Sequence, residues 1–388
     1  MLRLLAPFAL LLFAGCYADP SYDFEVSENR ATGRFQVVTF DVGQGSAAAV
    51  IAPGGCVALL DGGPRGSGAA IRAHLRALGV TEVNFAVASH YHDDHIGGLD
   101  EVEQGSDGIP IRRVFDRGGT YNSGAFREYA AQFGARRGTL LAGQTLSLCN
   151  EVALEVEAVD ANGLSTPDEN AKSVAVAVHW RSLDALAGGD LTGGAGTVDV
   201  ESRIAPSLGP MELYLVNHHG SRYASNAALL AAIRPRVSVV SVGIGNAYGH
   251  PAPETLARLR DVASDVWQTE DPANNARGGH VVLDSTDGAT FTVTQGARRR
   301  AYAAQGSAAC TVTITYRAYL TASGTLRVYA TSSGQPGASL QLSADGTSLG
   351  AMTWNTASAR YESVRPLAAK PRCVTVSADC GGAASLCY

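Results

Sequence analysis

From Arg34 onward the chain alternates short apolar runs with glycine-rich breaks. "RFQVVTFDV", "SAAAVIAPGG" and "CVALLDGG" have the length and composition of strands joined by tight turns. "GAAIRAHLRALG" repeats its apolar residues at helical spacing and stops on glycine, and "VNFAVASH" returns to strand character. This β-β-β-α-β order predicts a layered α/β arrangement. "SLCNEVALEVEAVD", "SVAVAVHW", "MELYLVNHH" and "RVSVVSVG" continue the strands, and "NAALLAAI" and "APETLARLRDV" supply helices. Near residue 296 the pattern changes. "QGARRRAYAAQGSAAC" reads as a linker whose arginines mark a solvated boundary. Beyond it the alternation has no helical period and predicts a small all-β sandwich.

The N-terminus differs from everything after it. "MLRLLAPFALLLFAGC" carries one early arginine, then an apolar stretch too short to span a bilayer, then small residues before a cysteine. It predicts a secretory signal. The "FAGC" ending resembles a bacterial lipobox, which would make Cys16 a lipidation site and attach the exported protein to the cell envelope; Phe13 stands where that motif usually has Leu, and the alternative is simple cleavage and a secreted protein. The expected organisation is a signal over 1–16, a polar tether over 17–33, an α/β domain over 34–296, a linker over 297–305 and a disulfide-bonded β-sandwich over 306–388. No other run is long and apolar enough to cross a membrane.

Composition changes the picture in two places. A net charge of −6 over 388 residues argues against a protein that coats nucleic acid, though not against an enzyme that grips phosphate locally. Seven cysteines are an odd number, but setting Cys16 aside for lipid leaves six, which suits disulfides in an oxidising compartment. Cys56 and Cys149 fall early; Cys310, Cys373, Cys380 and Cys387 fall late. Pairing within each group would give one bridge in the first domain and two in the second.

The chemistry concentrates in "SHYHDDHIGGL", where His90, His92, Asp94 and His95 follow directly on an apolar strand. Three imidazoles and a carboxylate so close together cannot all find separate partners in a core. On a loop at a strand end they can converge on metal, and imidazole with carboxylate suits Zn²⁺, Mn²⁺ or Fe. Alternation puts His90 and His92 on one side as a chelating pair and leaves Asp94 and His95 for a second ion.

"HxHxDH" followed by "IGGL" resembles the signature of the metallo-β-lactamase-fold hydrolases, which implies an αββα four-layer fold. "TFDVGQGSAAAV", "LLDGG", "LAGGD", "VNHHGS" and "NAYGHP" narrow the likeness to the metallo-β-lactamase-like domain of ComEC-type competence proteins. Phosphorylcholine esterases of this fold look similar. The resemblance covers about residues 34–296. It implies two divalent ions, Zn²⁺ or Mn²⁺, with His90 and His92 on the first, Asp94 and His95 on the second, and Asp190 bridging both. One of His218 and His219 would be a further ligand and the other would face substrate as general acid. His250 would be the last ligand or a substrate contact, and Asp61 would orient a ligand histidine. Ser173 stands in the segment where the ancestral fold has another histidine ligand. His179 beside Trp180 reads as a packed or surface residue, and His74 and His280 as bland surface positions.

The implied reaction is hydrolysis by a hydroxide held between two ions, at phosphorus or carbonyl carbon. Arg222 and Lys172 could hold a phosphate oxygen. Gln44 and Ser46 sit in a glycine-rich loop that permits close backbone approach at the site's mouth. The leading expectation is an exported phosphodiesterase or nuclease with extracellular DNA, or a related phosphodiester, as its partner. The first alternative is the same chemistry on a choline phosphate ester, with Tyr91, Tyr121, Tyr223 and Tyr248 as candidates for an aromatic box. The second is a surface binding protein in which the sandwich does the work. Nothing in the sequence points to a protein partner.

Overall fold

The computed structural model describes residues 29–305, 312–332, 340–355, 358–378 and 383–388. The expected signal over 1–16 with Cys16, most of the expected tether, and Cys310 and Cys380 of the expected second bridge lie outside the described residues. Chain order in the first domain begins β1 (Phe35–Thr39), β2 (Ala48–Ile51), β3 (Val57–Leu60), α1 (Gly68–Ala77), β4 (Val83–Val87) and α2 (Asp93–Ile96). It continues with β5 (Ile111–Asp116), α3 (Gly124–Phe133), β6 (Arg137–Thr139), β7 (Thr145–Leu148), β8 (Val152–Ala158), β9 (Ala175–Trp180) and β10 (Leu183–Ala187). Then come α4 (Glu201–Ile204), β11 (Leu213–Leu215), α5 (Ala227–Ile233), β12 (Val237–Val240), α6 (Pro253–Asp261) and β13 (Asp265–Gln268). A two-residue pair, β14 (Glu270–Asp271) and β15 (Ala276–Arg277), precedes β16 (Val281–Ser285), β17 (Thr290–Gln295) and β18 (Arg298–Ala303).

Two sheets result, ordered β18-β17-β16-β1-β2-β3-β4-β5-β6 and β13-β12-β11-β10-β9-β8-β7. Period-two alternation explains how they stack. Phe35 and Val37 join one core with Phe85, Val176, Trp180, Val239 and Trp267, drawn from both sheets. Val38 and Phe40 point the other way, into a second core with Ile71 and Leu75 of α1 and Phe126 and Tyr129 of α3. The far face of the second sheet packs on Ile204, Leu229, Leu230 and Leu259 from α4, α5 and α6. The layers are therefore helix, sheet, sheet, helix. Strands β3 to β6 run parallel, as do β10 to β13, so loops leaving β3, β4, β10, β11 and β12 emerge on shared edges.

Two sequence expectations are corrected here. "SLCNEVALEVEAVD" is a hairpin rather than one strand, with Cys149 and Asn150 both near φ +55° at its turn. The Cys56–Cys149 disulfide holds that turn against the first sheet. The segment 297–305 contains β18, the edge strand of the first sheet. Its arginines are not a loose boundary: Arg300 and Arg298 pair with Asp265 at 2.8 and 3.3 Å, and Arg298 lies 3.5 Å over the Trp267 ring. A strand whose outward side chains are mostly Arg looks like linker because its period-two signal is written in ion pairs.

Beyond it, β19 (Val312–Leu320), β20 (Thr325–Ser332), β21 (Leu340–Ala344), β22 (Thr347–Ala351), β23 (Thr353–Asn355), β24 (Arg360–Pro366), β25 (Cys373–Ala378) and β26 (Ala383–Cys387) form two four-stranded sheets. Leu326, Val328, Leu342, Tyr361, Val374 and Val376 fill a core of their own. Cys373 and Cys387 form a disulfide between paired strands. No helix among the described residues is long and apolar enough to cross a membrane.

Candidate metal centre

Strand β4 delivers His90, then the chain turns into the short helix α2, which carries Asp94 and His95. Their backbone is knitted to neighbouring loops: Ser46 N–H donates to the Asp94 carbonyl at 3.0 Å, and Gly62 N–H to the His95 carbonyl at 2.7 Å. A side chain at Gly45 would place its Cβ 2.5 Å from the Asp94 carbonyl oxygen, so glycine is required there. Asp190 arrives from the end of β10, where Gly189 has φ +54° and a Cβ would lie 2.5 Å from Ser89. His218 and His219 follow β11, both in the left-handed region at φ +53° and +52°.

That costly backbone is held from behind. Glu201, fully buried, accepts hydrogen bonds at 2.7 Å from Asn217 Nδ2, Ser225 N–H and Asn226 N–H. Burial pushes its carboxyl up to about 7, against those three donors.

The side chains gather in two sets that share Asp190. Asp94, His95, Asp190 and His219 offer ligand atoms to one point, and His90, His92 and Asp190 to another. Asp190 Oδ1 lies 3.0 Å from His95 Nε2 and 3.4 Å from His219 Nε2. Its Oδ2 faces the other way, 3.6 Å from His218 Nε2 and 3.8 Å from His90 Nε2. His90 Nε2 and His92 Nδ1 are 3.0 Å apart.

The second contacts of these rings determine which nitrogen points inward. A carboxylate or carbonyl only accepts, so His95 Nδ1–H donates to Asp61 Oδ2 at 2.7 Å and His219 Nδ1–H to the Ser241 carbonyl at 3.0 Å. In the neutral rings both Nε2 lone pairs then face each other at 3.3 Å, and both face Asp190 Oδ1, which is buried without a hydrogen bond. Asp94 Oδ2 adds a fourth acceptor, 3.3 Å from His219 Nε2. Acceptors aimed at one another call for a cation between them, so the residues present fit a metal ion.

The surrounding carboxylates also draw positive charge to this point, whether a proton or a cation. Burial opposes charge on His95, but Asp190, Asp61 and Asp94 outweigh it and hold its pKa well above the ordinary value. Burial likewise opposes the Asp190 charge, yet His95, His218 and His219 keep it well below the carboxylate range. His90, with less negative charge around it, is pushed down chiefly by burial.

Other expected residues fall into place around this centre. Asp61, at φ +60°, accepts from Ser89 N–H at 2.7 Å and Ser89 Oγ at 2.8 Å as well as from His95. An open cleft of about 350 Å³ lies over the cluster, lined by Gln44, Asn170, Tyr248 and His250 besides the ligand candidates. His219 is the member of the His218–His219 pair that joins a ligand set, and His218 and His250 sit outside both; burial and the neighbouring His218 and His219 push His250 down to about 4. Gln44 Oε1 accepts from Gly243 N–H at 3.2 Å, leaving its buried Nε2 without a partner.

Arg222 and Lys172 do not line the cleft. Tyr91 is buried against α3, and of the four tyrosines considered for an aromatic box only Tyr248 reaches the cleft. Ser173 is buried between the two halves of the site, 3.3 Å from His90 Nδ1 and accepting from Asp190 N–H at 3.1 Å. His179 is half-buried and bound to Asp184 at 2.8 Å. His74 and His280 are not bland: their rings meet edge to face at 4.6 Å beside Phe40, and His280 Nδ1 accepts from Asp41 N–H at 2.8 Å.

Sequence reasoning missed Glu201, Asn170 and the Ser241 carbonyl. Each acts through a contact spanning at least 16 residues of chain, which no local motif announces.

Two stacked sheets between helices, with a His/Asp cluster at strand ends, define a metal-dependent hydrolase. Residues 41–244 match the metallo-beta-lactamase superfamily, and the chain belongs to it. The chain is 30% identical over 264 residues to competence protein ComA of Neisseria gonorrhoeae, covering 66% of this chain and 33% of that protein. It is 26% identical over 244 residues to recombination protein 2 of Haemophilus influenzae, covering 61% and 28%. It thus spans about a third of these relatives' length. Among solved structures, the metallo-beta-lactamase fold protein YhfI of Bacillus subtilis is similar, with a TM-score of 0.39 and 13% identity over 64% of this chain and 98% of that one.

Proposed function

We propose that this protein is an exported phosphodiesterase that uses two divalent ions, with DNA as its leading substrate. The observation that carries the reading is Asp190, whose two carboxylate oxygens face two separate ligand sets. His90 and His92 would hold one ion and Asp94, His95 and His219 the other, with Asp190 shared; His218 Nε2 lies 3.6 Å from Asp190 Oδ2, beside the first set. Zn²⁺ and Mn²⁺ both suit this donor set. Bound there, such ions supply Lewis acidity and make water nucleophilic at neutral pH.

The remaining work falls to the chain's own side chains. Gln44 Nε2 is free to donate to a non-bridging phosphate oxygen. His250, beside His218 and next to Tyr248, is placed to contact the substrate. The cleft is lined almost wholly by Gln, Asn, Asp and His, which favours a charged ester over an apolar one. The two relatives are named for competence and for recombination. A quaternary ammonium would ask for several ring faces, and among the described residues Tyr248 is the one tyrosine lining the cleft. Disulfides in both domains, together with the N-terminal signal pattern, support export.

The test uses purified protein loaded with Mn²⁺ or Zn²⁺, beside a His92→Ala/Asp94→Ala variant. Bound metal is counted, and single- and double-stranded DNA, bis(p-nitrophenyl)phosphate and a phosphorylcholine ester are offered. Two ions per chain and cleavage of DNA and the simple diester, all lost in the variant, are expected. Turnover confined to the choline ester overturns the substrate assignment, and absence of bound metal overturns the centre.

A further inference from the structure

The ligand cluster accounts for the floor of the cleft but not for its rim. Tyr248 is the most exposed of the large apolar side chains among the described residues, at 72%. Its loop is nevertheless braced. Asn246 Nδ2 donates to the Gly243 and His250 carbonyls, both at 2.8 Å, and Asn246 Oδ1 accepts from His250 N–H at 3.0 Å. The Tyr248 ring stands nearly parallel to the His250 imidazole and offset from it, with centroids 5.6 Å apart and 23° between planes. His250 is in turn 6.2 Å from His219 at 27°. Tyr248 is thus one imidazole removed from the ligand cluster, and its ring is largely exposed at the mouth of the cleft.

An exposed aromatic ring on a braced loop at the mouth of the cleft suits a flat partner. A cation would be held better by several faces, which the cleft does not assemble. Every nucleobase has such a flat face, and aromatic platforms beside a backbone-gripping groove are how single strands are held without sequence preference.

We propose that Tyr248 is the stacking platform for the nucleobase next to the scissile phosphodiester. The proposal rests on the phosphodiesterase reading above. It makes single-stranded or locally opened nucleic acid the preferred form, because a base inside a duplex has no free face to offer. Tyr248 binds through its ring rather than its hydroxyl, and it sorts substrates without taking part in the bond-breaking step.

The experiment compares kcat/KM of the metal-loaded protein on an oligothymidylate and on a strand of equal length bearing abasic sugars. Wild type should prefer the base-bearing strand about tenfold or more, the scale of one base–aromatic stack. Tyr248→Ala should collapse that preference toward one, chiefly through KM, while Tyr248→Phe and Tyr248→Trp should retain it. Metal content and thermal midpoint of each variant confirm that the centre and fold are intact. A preference that survives in Tyr248→Ala, or is lost equally in Tyr248→Phe, overturns the stacking role. Wild-type cleavage of both strands with no preference also overturns it while leaving the phosphodiesterase reading standing. Cleavage of neither strand by metal-loaded wild type overturns both.

Discussion

Asp61 shows how much of this centre depends on residues that would never touch a metal. It stands at φ +60°, a conformation that Asn shares more readily than Ala does, so Asp61→Asn keeps the backbone while changing the chemistry. The carboxylate accepts from Ser89 N–H, Ser89 Oγ and His95 Nδ1–H. An amide cannot accept all three: with its oxygen kept on Ser89 N–H, its NH₂ confronts His95 Nδ1–H. His95 then loses the contact that turns Nε2 inward. The expected result is a ~10- to 100-fold loss of affinity for one ion only, that of Asp94, His95 and His219. Titration with metal would show the His90–His92 ion retained. Equal weakening of both ions would mean that Asp61 supports the whole loop rather than one ligand.

At the scale of elements, α1 carries a burden unrelated to the metal. His74 faces inward from that helix beside Phe40 and His280, and its Nε2 is buried without a partner. Burial and then the neighbouring His280 push His74 down to about 4, and burial pushes His280 down too. Both rings are therefore neutral in the folded state at pH values where an unfolded chain already takes up protons. Stability present above about pH 6.5 is lost as the pH falls toward 4, because the unfolded state binds protons the native state refuses. His74→Leu keeps the apolar contact with Phe40 and removes one of those groups. Its thermal midpoint should gain on wild type steadily between pH 6.5 and 4 and differ least at pH 7.5. Parallel curves would show that the pair does not carry the acid sensitivity.

For the whole molecule, the cores predict how it comes apart. Three hydrophobic clusters lie within residues 35–304, and the fourth, drawn from residues 312–384, shares no member with them. Calorimetry should resolve two transitions. Cys373→Ser/Cys387→Ser opens a loop with a sequence separation of 14, worth on the order of 3 kcal/mol of unfolded-state entropy, and should lower only one of them. Cys56→Ser/Cys149→Ser opens a separation of 93, on the order of 4.7 kcal/mol, and should lower the other. A single transition moved by both pairs would show that the two regions unfold as one unit.

The sequence by itself determined the local features. Period-two alternation in "FQVVT" and "VNFAV" is a property of adjacent residues, and so is the density of His and Asp in "HYHDDH". The layered α/β class, the superfamily and most of the side chains in the cleft were legible for that reason. Tertiary structure decided what depends on separated strands meeting. It turned the two oxygens of Asp190 toward different ligand sets and put His219, through the Ser241 carbonyl, into the set with Asp94 and His95. It left Arg222 and Lys172 outside the cleft and sank Tyr91 into the core while Tyr248 stayed at the rim. It also made 298–303 a strand, since its arginines find Asp265 only across the fold. Periodicity records which face a residue takes on its own element; it holds no record of which distant element that face will meet.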